Sequence, residues 1–448
     1  MLSVDQARAR AADLVAAARK AGADAADAIY VADGATQVQV RLGALEDVER
    51  SEGEDIGLRV FVGRRSASVS SSDLSPPALA ALVERAVAMA REAPEDPHAG
   101  LAPEDRLLRA PPAELDLDDG VDPDPAALRE AALEAEDAAR AVAGVTNSEG
   151  AGASASRAAI AIATSHGFCG GYAMSGHGLS ASVLAGSGGG MQRDYAHHSA
   201  RHLADREAPA SIGRRAGDRA VARLDPVRLA SGPMPILFDP RVATSLIGHL
   251  LGAISGAAIA RRTSFLLDSL GKAVFAPGVT ISDDPHRIRG LRSRPFDGEG
   301  LPTAPMAIID DGVLTGWLLD SASARQLALA PTGHATRGVG GPPGVGASNV
   351  HLHPGAQSRD ALMADIRQGV LVTELIGQGV NGITGDYSRG ASGFLIEDGK
   401  IGRAVAEITI AGNLADMFKA LIPADDLEFR QAVNSPTVRI DGMTVAGG

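Results

Sequence analysis

The sequence predicts an α+β protein. It has an N-terminal helix/strand region and a C-terminal, mainly antiparallel β domain that carries a buried Gly-rich helix. Three observations predict this. Short apolar–polar alternations recur from Asp24 onward, the period-two pattern of half-buried strands. Two Asp-Gly pairs, Asp311-Gly312 and Asp398-Gly399, stand between apolar runs, a strong hairpin signal. Neither regular strand–helix alternation nor a repeat of fixed period is present, which argues against a parallel doubly wound sheet or a solenoid. A chain of 448 residues allows two or three domains at about 150 residues each, enough to bury a core without covalent staples.

The elements follow in order. Apolar residues Ala7, Ala11, Leu14, Val15 and Ala18 fall on one face of a helix over residues 4–21. Strand-like alternation covers 24–31 and 36–40. Residues 46–62 read as two strands joined by the polar turn Ser51-Glu52-Gly53-Glu54-Asp55, and 66–71 alternate again. A helix over 73–93 starts with Asp73 or Ser75 as cap and Pro76-Pro77 in the first turn, where a missing N–H costs little. These residues, 1–93, form the N-terminal region. Residues 94–124 are an acidic, Pro-rich connector; from 95 to 124 ten acids face only Arg106 and Arg109, and the segment reads as solvated. A middle α+β region, 125–230, opens with an amphipathic helix at 125–142. Strands follow at 156–165, 168–174 and 177–184, then the glycine run 186–190. The C-terminal domain, 231–448, begins with a strand at 235–238 and a helix at 240–260. It continues mainly as strands, with one further helix at 358–369.

Composition excludes several functions. The net charge of −13 and an aromatic content of 3% disfavour nucleic-acid binding, which needs clustered cations or stacking surfaces. One cysteine, Cys169, excludes an intramolecular disulfide framework and a Cys-rich zinc site, and is compatible with a reducing cytoplasm. Charges at Asp5, Arg8, Arg10, Asp13 and Arg19 break any signal-peptide apolar region. The uncharged stretch 242–260 could just span a bilayer by length, but Thr244, Ser245, Gly248, His249, Gly252, Ser255 and Gly256 make it a buried helix of a soluble protein.

Several constellations bear on possible chemistry. No Gly-x-Ser-x-Gly elbow and no Walker A loop occurs, and the Gly-rich run 338–346 fails the dinucleotide pattern because its third glycine position is Pro343; it reads as a mobile loop. Asp116 to Gly120 resembles a calcium loop, with its glycine one position early and no closing Glu. His198 and His202 would share a face of a solvated helix, without the acid a metallopeptidase places between them, and His351 and His353 would share a strand face. Cys169 reads as a packed thiol. In the helix at 240–260, Gly248, Gly252 and Gly256 leave one flank nearly bare, which predicts tight packing of another element against it, with His249 beside that flank.

The run 248–256, Ser264 to Gly271, Pro295-Phe296-Asp297-Gly298-Glu299-Gly300, Pro331 to Ala335, Val372 to Val380 and above all Ile383 to Phe394 resemble the PmbA (TldE) branch of the TldD/PmbA metallopeptidase family. The resemblance covers nearly the whole chain and is densest over 232–413. It implies a heteromeric, cytoplasmic zinc peptidase. In the TldD branch a helix carries His-Glu-x-x-x-His, a C-terminal Cys completes the zinc site, and the Glu acts as general base on metal-bound water, whose pKa the metal lowers. The PmbA branch is the partner subunit that helps enclose an unfolded peptide.

This sequence departs from the catalytic pattern. The window falls on residues 244–249, with Thr244 at the first ligand position, Ser245 at the general-base position and His249 alone retained; residues 414–448 contain no cysteine. The favoured expectation is a catalytically silent, metal-free subunit, with zinc in a TldD-like partner and an unfolded peptide as substrate. Glu374, Gly377, Gly379, Asp386, Tyr387 and Arg389 are the candidates for peptide or partner contact, against a plain hairpin register for the same stretch. Two alternatives stand beside it: a homodimeric peptidase with an atypical metal site at His249, to which His286, His334, His351 or His353 could be drawn, and a non-enzymatic modulator of DNA gyrase acting through protein contact.

Overall fold

A computed structural model describes residues 2–447. The chain begins with α1 (Val4–Lys20), which Ser3 and Gln6 start with a reciprocal capping box. Then come β1 (Ala25–Arg41), β2 (Ala44–Val62), β3 (Arg65–Ser71), α2 (Pro76–Glu92), α3 (Pro125–Arg140), β4 (Val145–Thr164), β5 (Cys169–Ala185), β6 (Gln192–Ala200) and α4 (Pro209–Ala222). These strands form one antiparallel sheet in the order β3-β2-β1-β4-β5-β6. Its even-numbered β1 residues share a face: Ala26, Ala28, Tyr30 and Ala32 pack with the core of α1 and α2, and Val38 and Val40 with that of α3 and α4. Two helix pairs therefore cover one face, side by side. On the other face, Ile29 and Ile162 meet Phe168, Phe296 and Leu301, which joins the sheet to the C-terminal half.

The C-terminal half comprises β7 (Gly232–Phe238), α5 (Pro240–Ala253), α6 (Gly256–Ala260), β8 (Ile281–Asp283), β9 (Met306–Asp310), β10 (Val313–Leu314), α7 (Ser321–Gln326), β11 (Ala335–Thr336), β12 (Gly344–Val345), β13 (Val350–Leu352) and α8 (Arg359–Met363). It ends with β14 (Gln368–Ile376), β15 (Asp386–Glu397), β16 (Lys400–Asn413), α9 (Leu414–Lys419), β17 (Leu421–Pro423), β18 (Val433–Asn434) and β19 (Val438–Ala446). Strands run in the order β16-β15-β14-β7-β19-β17, and an extra β16–β19 pairing closes a barrel. The fold is the expected α+β class. Both Asp-Gly pairs form two-residue hairpin loops with positive φ at each central residue: 46° and 79° at Asp311-Gly312, 47° and 76° at Asp398-Gly399.

Several local expectations are corrected. Residues 46–62 are one strand, not two: Asp33 pairs with Gly53 and Ala35 with Ser51, so backbone ladder bonds carry the polar stretch through as a ribbon exposed on both faces. Strands β4 and β5 likewise absorb what reads as several short runs. The His197-His198 segment belongs to strand β6, because alternation places Ala196 inside and Tyr195 outside. Helix α4 has no counterpart in the sequence reading. Its stripe is Ile212, Ala216 and Ala220 with Gly213 and Gly217, too small and flexible to announce a helix, yet these glycines let α3 approach: a Cβ on Gly213 would sit 2.0 Å from the Ala135 carbonyl. The helix over 240–260 breaks at Ile254 and Ser255, where Ser255 caps α6. Its glycine flank is packed only at Gly256, against Ser323; at Gly248 and Gly252 a Cβ would meet nothing within 4 Å.

The acidic connector is a strap, not a solvated tether. Ala102, Leu107, Leu115 and Leu117 are buried, and Arg325 donates to the carbonyls of His98, Gly100 and Leu101 at 2.8, 3.0 and 3.0 Å. Its acids have partners far along the chain: Asp116 meets Arg289, Asp118 meets Arg157, and Asp119 meets the buried His177 ring at 3.0 Å. The 338–346 loop is anchored, since Val339 packs over Gly57, where a Cβ would lie 2.3 Å from its carbonyl.

Candidate functional site

Strand β7 turns directly into α5. The Asp239 N–H donates to the Val372 carbonyl at 2.9 Å, which fixes the strand end against β14, and the Asp239 carboxylate accepts from the Arg241 N–H at 3.0 Å as helix cap, with Pro240 in the first turn. Ala243, Leu246, Ile247, Leu250 and Ala253 bury one face of α5 in the barrel core. Ser245, Gly248, His249 and Gly252 lie on the less buried side.

The three residues of the degenerate window do little toward one another. The Thr244 hydroxyl donates to the Arg241 carbonyl at 3.3 Å and the Ser245 hydroxyl to the Val242 carbonyl at 2.6 Å, so both are spent on their own helix. The Nε2 atom of His249 is buried without a hydrogen-bond partner, and its ring stands edge-on to Tyr387 with centroids 6.0 Å apart. Burial and then the nearby Arg389 charge hold the imidazole below its ordinary pKa, so it is neutral at physiological pH. Tyr387 is fully enclosed with an unpartnered hydroxyl, and burial pushes its pKa up.

The resemblance implies zinc for the catalytic branch, and the residues here do not fit that metal. Two hydroxyls and one imidazole do not supply the three or four His, Cys or carboxylate ligands of a zinc site, and the charge that acts on His249 is the Arg389 guanidinium. Among the described residues no group of three His, Cys, Asp or Glu side chains is arranged to hold a metal ion. The other imidazoles are engaged elsewhere. His334 bonds Asp283 at 3.2 Å and Thr332 at 2.8 Å, His286 bonds Thr303 at 3.0 Å, and His353 bonds Ser282 at 2.8 Å with His351 stacked on it. His202 meets Asp116, while His198 accepts from the Glu207 N–H. Cys169 is exposed at the first residue of β5 rather than packed.

Beside the first half of α5 lies a cavity of about 340 Å³, lined by Ser245, Thr373, Glu374 and Arg389 with the cluster Arg193, Asp194, Arg223 and Arg241. Asp194, 2% exposed, accepts from Arg241 through both oxygens at 2.7 and 3.0 Å and from Arg223 at 3.5 Å. Burial alone would raise its pKa; these cations hold it below the usual carboxylate range. Arg223 also grips Glu374, and Arg193 reaches Glu149 at 3.4 Å. Among the described residues Arg389 has no carboxylate partner: its Nε donates to the Ile376 carbonyl at 3.4 Å, and it is 8% exposed. Thr373 sits at a register shift of β14 between Val372 and Glu374, and its buried hydroxyl has no partner.

The remaining candidates belong to the β14–β15 hairpin. Gly377 has φ +78° and open space around it, while Gly379 is forced: a Cβ there would lie 2.1 Å from the Ser388 carbonyl. Asp386 accepts from Thr384 at 2.6 Å and Asn413 at 3.3 Å. Ile376 and Ile383 are 58% and 59% exposed at the hairpin end. The structure thus brings Ser245, Glu374 and Arg389 to one cavity and His249 to Tyr387, leaves Gly377 and Gly379 in the connecting loop and puts Asp386 at the start of β15. Sequence reasoning missed Thr373 and the Asp194–Arg223–Arg241 cluster; nothing in the stretch Val370 to Leu375 announces a bulge.

Comparison with known proteins agrees with this architecture. Family profiles of PmbA/TldA metallopeptidases match in three consecutive segments: domain 1 over residues 26–90, the central domain over 111–224 and the C-terminal domain over 231–447. The chain is 40% identical over 412 residues to a protein of Escherichia coli O157:H7 named metalloprotease PmbA, covering 92% of this chain and 89% of that one. It is 38% identical over 433 residues to a PmbA homologue of Haemophilus influenzae, covering 96% and 94%. A crystal structure from Bacteroides thetaiotaomicron, described as a candidate modulator of DNA gyrase, superimposes with a TM-score of 0.92 at 25% identity over the full length of both chains. TldE from Thermococcus kodakarensis shares the fold, with a TM-score of 0.86 at 21% identity over 97% and 99%. The chain belongs to the PmbA/TldD metallopeptidase family.

Proposed function

We propose that this chain is a non-catalytic, metal-free subunit of a two-component cytoplasmic peptidase, paired with a zinc-bearing TldD-like homologue and acting on unfolded peptides. The observation that carries the reading is the chemistry of α5. Where the catalytic branch has a ligand and a general base, Thr244 and Ser245 bond their own helix, and the retained His249 faces a tyrosine ring and an arginine charge. A serine hydroxyl, far from titrating at neutral pH, cannot serve as the carboxylate base. The open flank at Gly248 and Gly252 and the exposed Ile376 and Ile383 support association of the C-terminal domain with a partner. Peptide would be held in extended form, by strand addition or along a sheet face.

Metal analysis of the purified chain tests this. The expected result is zinc well below one per chain and unchanged in His249→Ala. Stoichiometric zinc lost in His249→Ala would instead establish a metal site of its own.

A further inference from the structure

We propose that the cavity beside α5 is a carboxylate-recognition subsite, built by Arg389 and Thr373, that receives the C-terminal carboxylate of an extended peptide. Two side chains, each more than nine-tenths buried, line this cavity with hydrogen-bonding capacity unused. Arg389 is 8% exposed and Thr373 is 7% exposed. Arg389 has one bond, from Nε to a carbonyl at 3.4 Å, and no acidic partner among the described residues; the Thr373 hydroxyl has no partner. A buried guanidinium without a counter-ion is costly, and an anionic ligand would remove that cost.

The surrounding charges favour the same ligand. The neighbouring acids, Asp194 and Glu374, are both neutralised by Arg223 and Arg241. What remains is a local excess of positive charge in a chain of net charge −13. A planar guanidinium fork matches a carboxylate; a phosphate dianion would ask for more donors and would feel the two acids more strongly.

Position supplies the peptide. Away from its contact with the C-terminal half, the helix-free face of the first sheet, on β1, β4, β5 and β6, presents Gln37, Gln39, Ser154, Ser180, Ser182 and His197 along a groove of about 530 Å³. That groove and the α5 cavity share Arg193 and Tyr195. A chain laid along the small, polar sheet face would therefore end at Arg389.

The inference deepens the peptide-binding part of the proposed function and does not depend on which subunit cleaves. Its test is fluorescence anisotropy with one short flexible peptide, labelled at its N-terminus, prepared as free acid and as C-terminal amide. The free acid is expected to bind the intact chain about tenfold more tightly, the scale of a charge-assisted bidentate contact. Arg389→Gln is expected to bring the acid down to the amide's affinity, and Thr373→Val to narrow the gap. Equal affinity of acid and amide for the wild-type chain, failure of both to bind, or a preference that survives in Arg389→Gln would overturn it. If Arg389→Gln does not fold, the wild-type comparison and Thr373→Val still decide. Inorganic phosphate displacing the free acid at far lower concentration than acetate would also overturn it, by making the cavity a free-phosphate site. Cleavage of the peptide by this chain alone would contradict the silent-subunit reading while leaving the acid-over-amide preference intact, so the two fail separately.

Discussion

Glu299 shows what a family motif can mean one residue at a time. It lies in Pro295 to Gly300 and is 5% exposed. Its carboxylate accepts from the Ser321 N–H at 2.8 Å and hydroxyl at 2.6 Å, while Asp297 next to it accepts from the backbone N–H groups of Glu299 and Leu301, both at 2.9 Å. Burial pushes Glu299 up to about 7 from an ordinary 4.5, against the opposing bonds from Ser321. The folded state therefore keeps a proton that the unfolded chain has released. Stability from this group is complete below about pH 4.5 and is lost as pH rises through 7, by at most about 3 kcal/mol. Glu299→Gln is expected to flatten that decline, read as urea midpoints at pH 5 and pH 8. Parallel profiles for the two proteins would show the shift is not there. At this scale the sequence was legible where identity alone carries the chemistry. Thr244, Ser245 and His249 could be read directly, because a hydroxyl cannot replace an imidazole or a carboxylate. Thr373 could not, because its place in the cavity wall goes with a β-bulge that no side-chain pattern encodes.

At the scale of elements, glycines that look alike divide sharply. Gly213 on α4 faces the Ala135 carbonyl of α3, and Gly248 on α5 faces open space. Gly213→Ala is expected to destabilise the protein by about 2–3 kcal/mol through overpacking of that crossing. Gly248→Ala is expected to stabilise the isolated chain by up to about 1 kcal/mol, since alanine is the better helix former. Thermal and urea unfolding of the two variants checks both signs. If the Gly248 flank receives a partner, the same variant should weaken co-purification with the zinc-bearing homologue although it is the more stable protein. Elements with a strong apolar period, such as α1 and α2, were legible to within a few residues. Strand β2 was not, because its exposed half is held by backbone bonds to β1 and buries nothing. Helix α4 was not, because alanine and glycine on its buried stripe carry little hydrophobic signal.

The whole molecule is joined by a buried ionic hub. Asp27 of β1 accepts from Arg59 of β2 at 2.8 Å and, through its other oxygen, from Arg337 of the C-terminal half at 2.8 Å; all three side chains are at most 7% exposed. Asp27→Asn would leave two buried guanidinium groups without their anion and is expected to cost about 3–5 kcal/mol, measured as a fall in unfolding free energy. An unchanged urea midpoint would contradict that role. No such hub is readable from sequence, since its partners are separated by some 300 positions. The acidic connector misled for a related reason: its charges suggest solvent, while the arginines and histidine that fasten it lie far along the chain. The fold class was legible because periodicity and turn chemistry are local, whereas the cavity beside α5 is assembled from β6, α4, α5 and two barrel strands.

The most direct test of the central claim is a cleavage assay on an unfolded peptide. It would compare this chain alone, a zinc-bearing TldD-like homologue alone, and the two co-expressed and purified together. Activity in the co-purified pair, and none from this chain alone even with added zinc, is the expected result. Cleavage by this chain alone at the rate of the pair, abolished in His249→Ala, would contradict it.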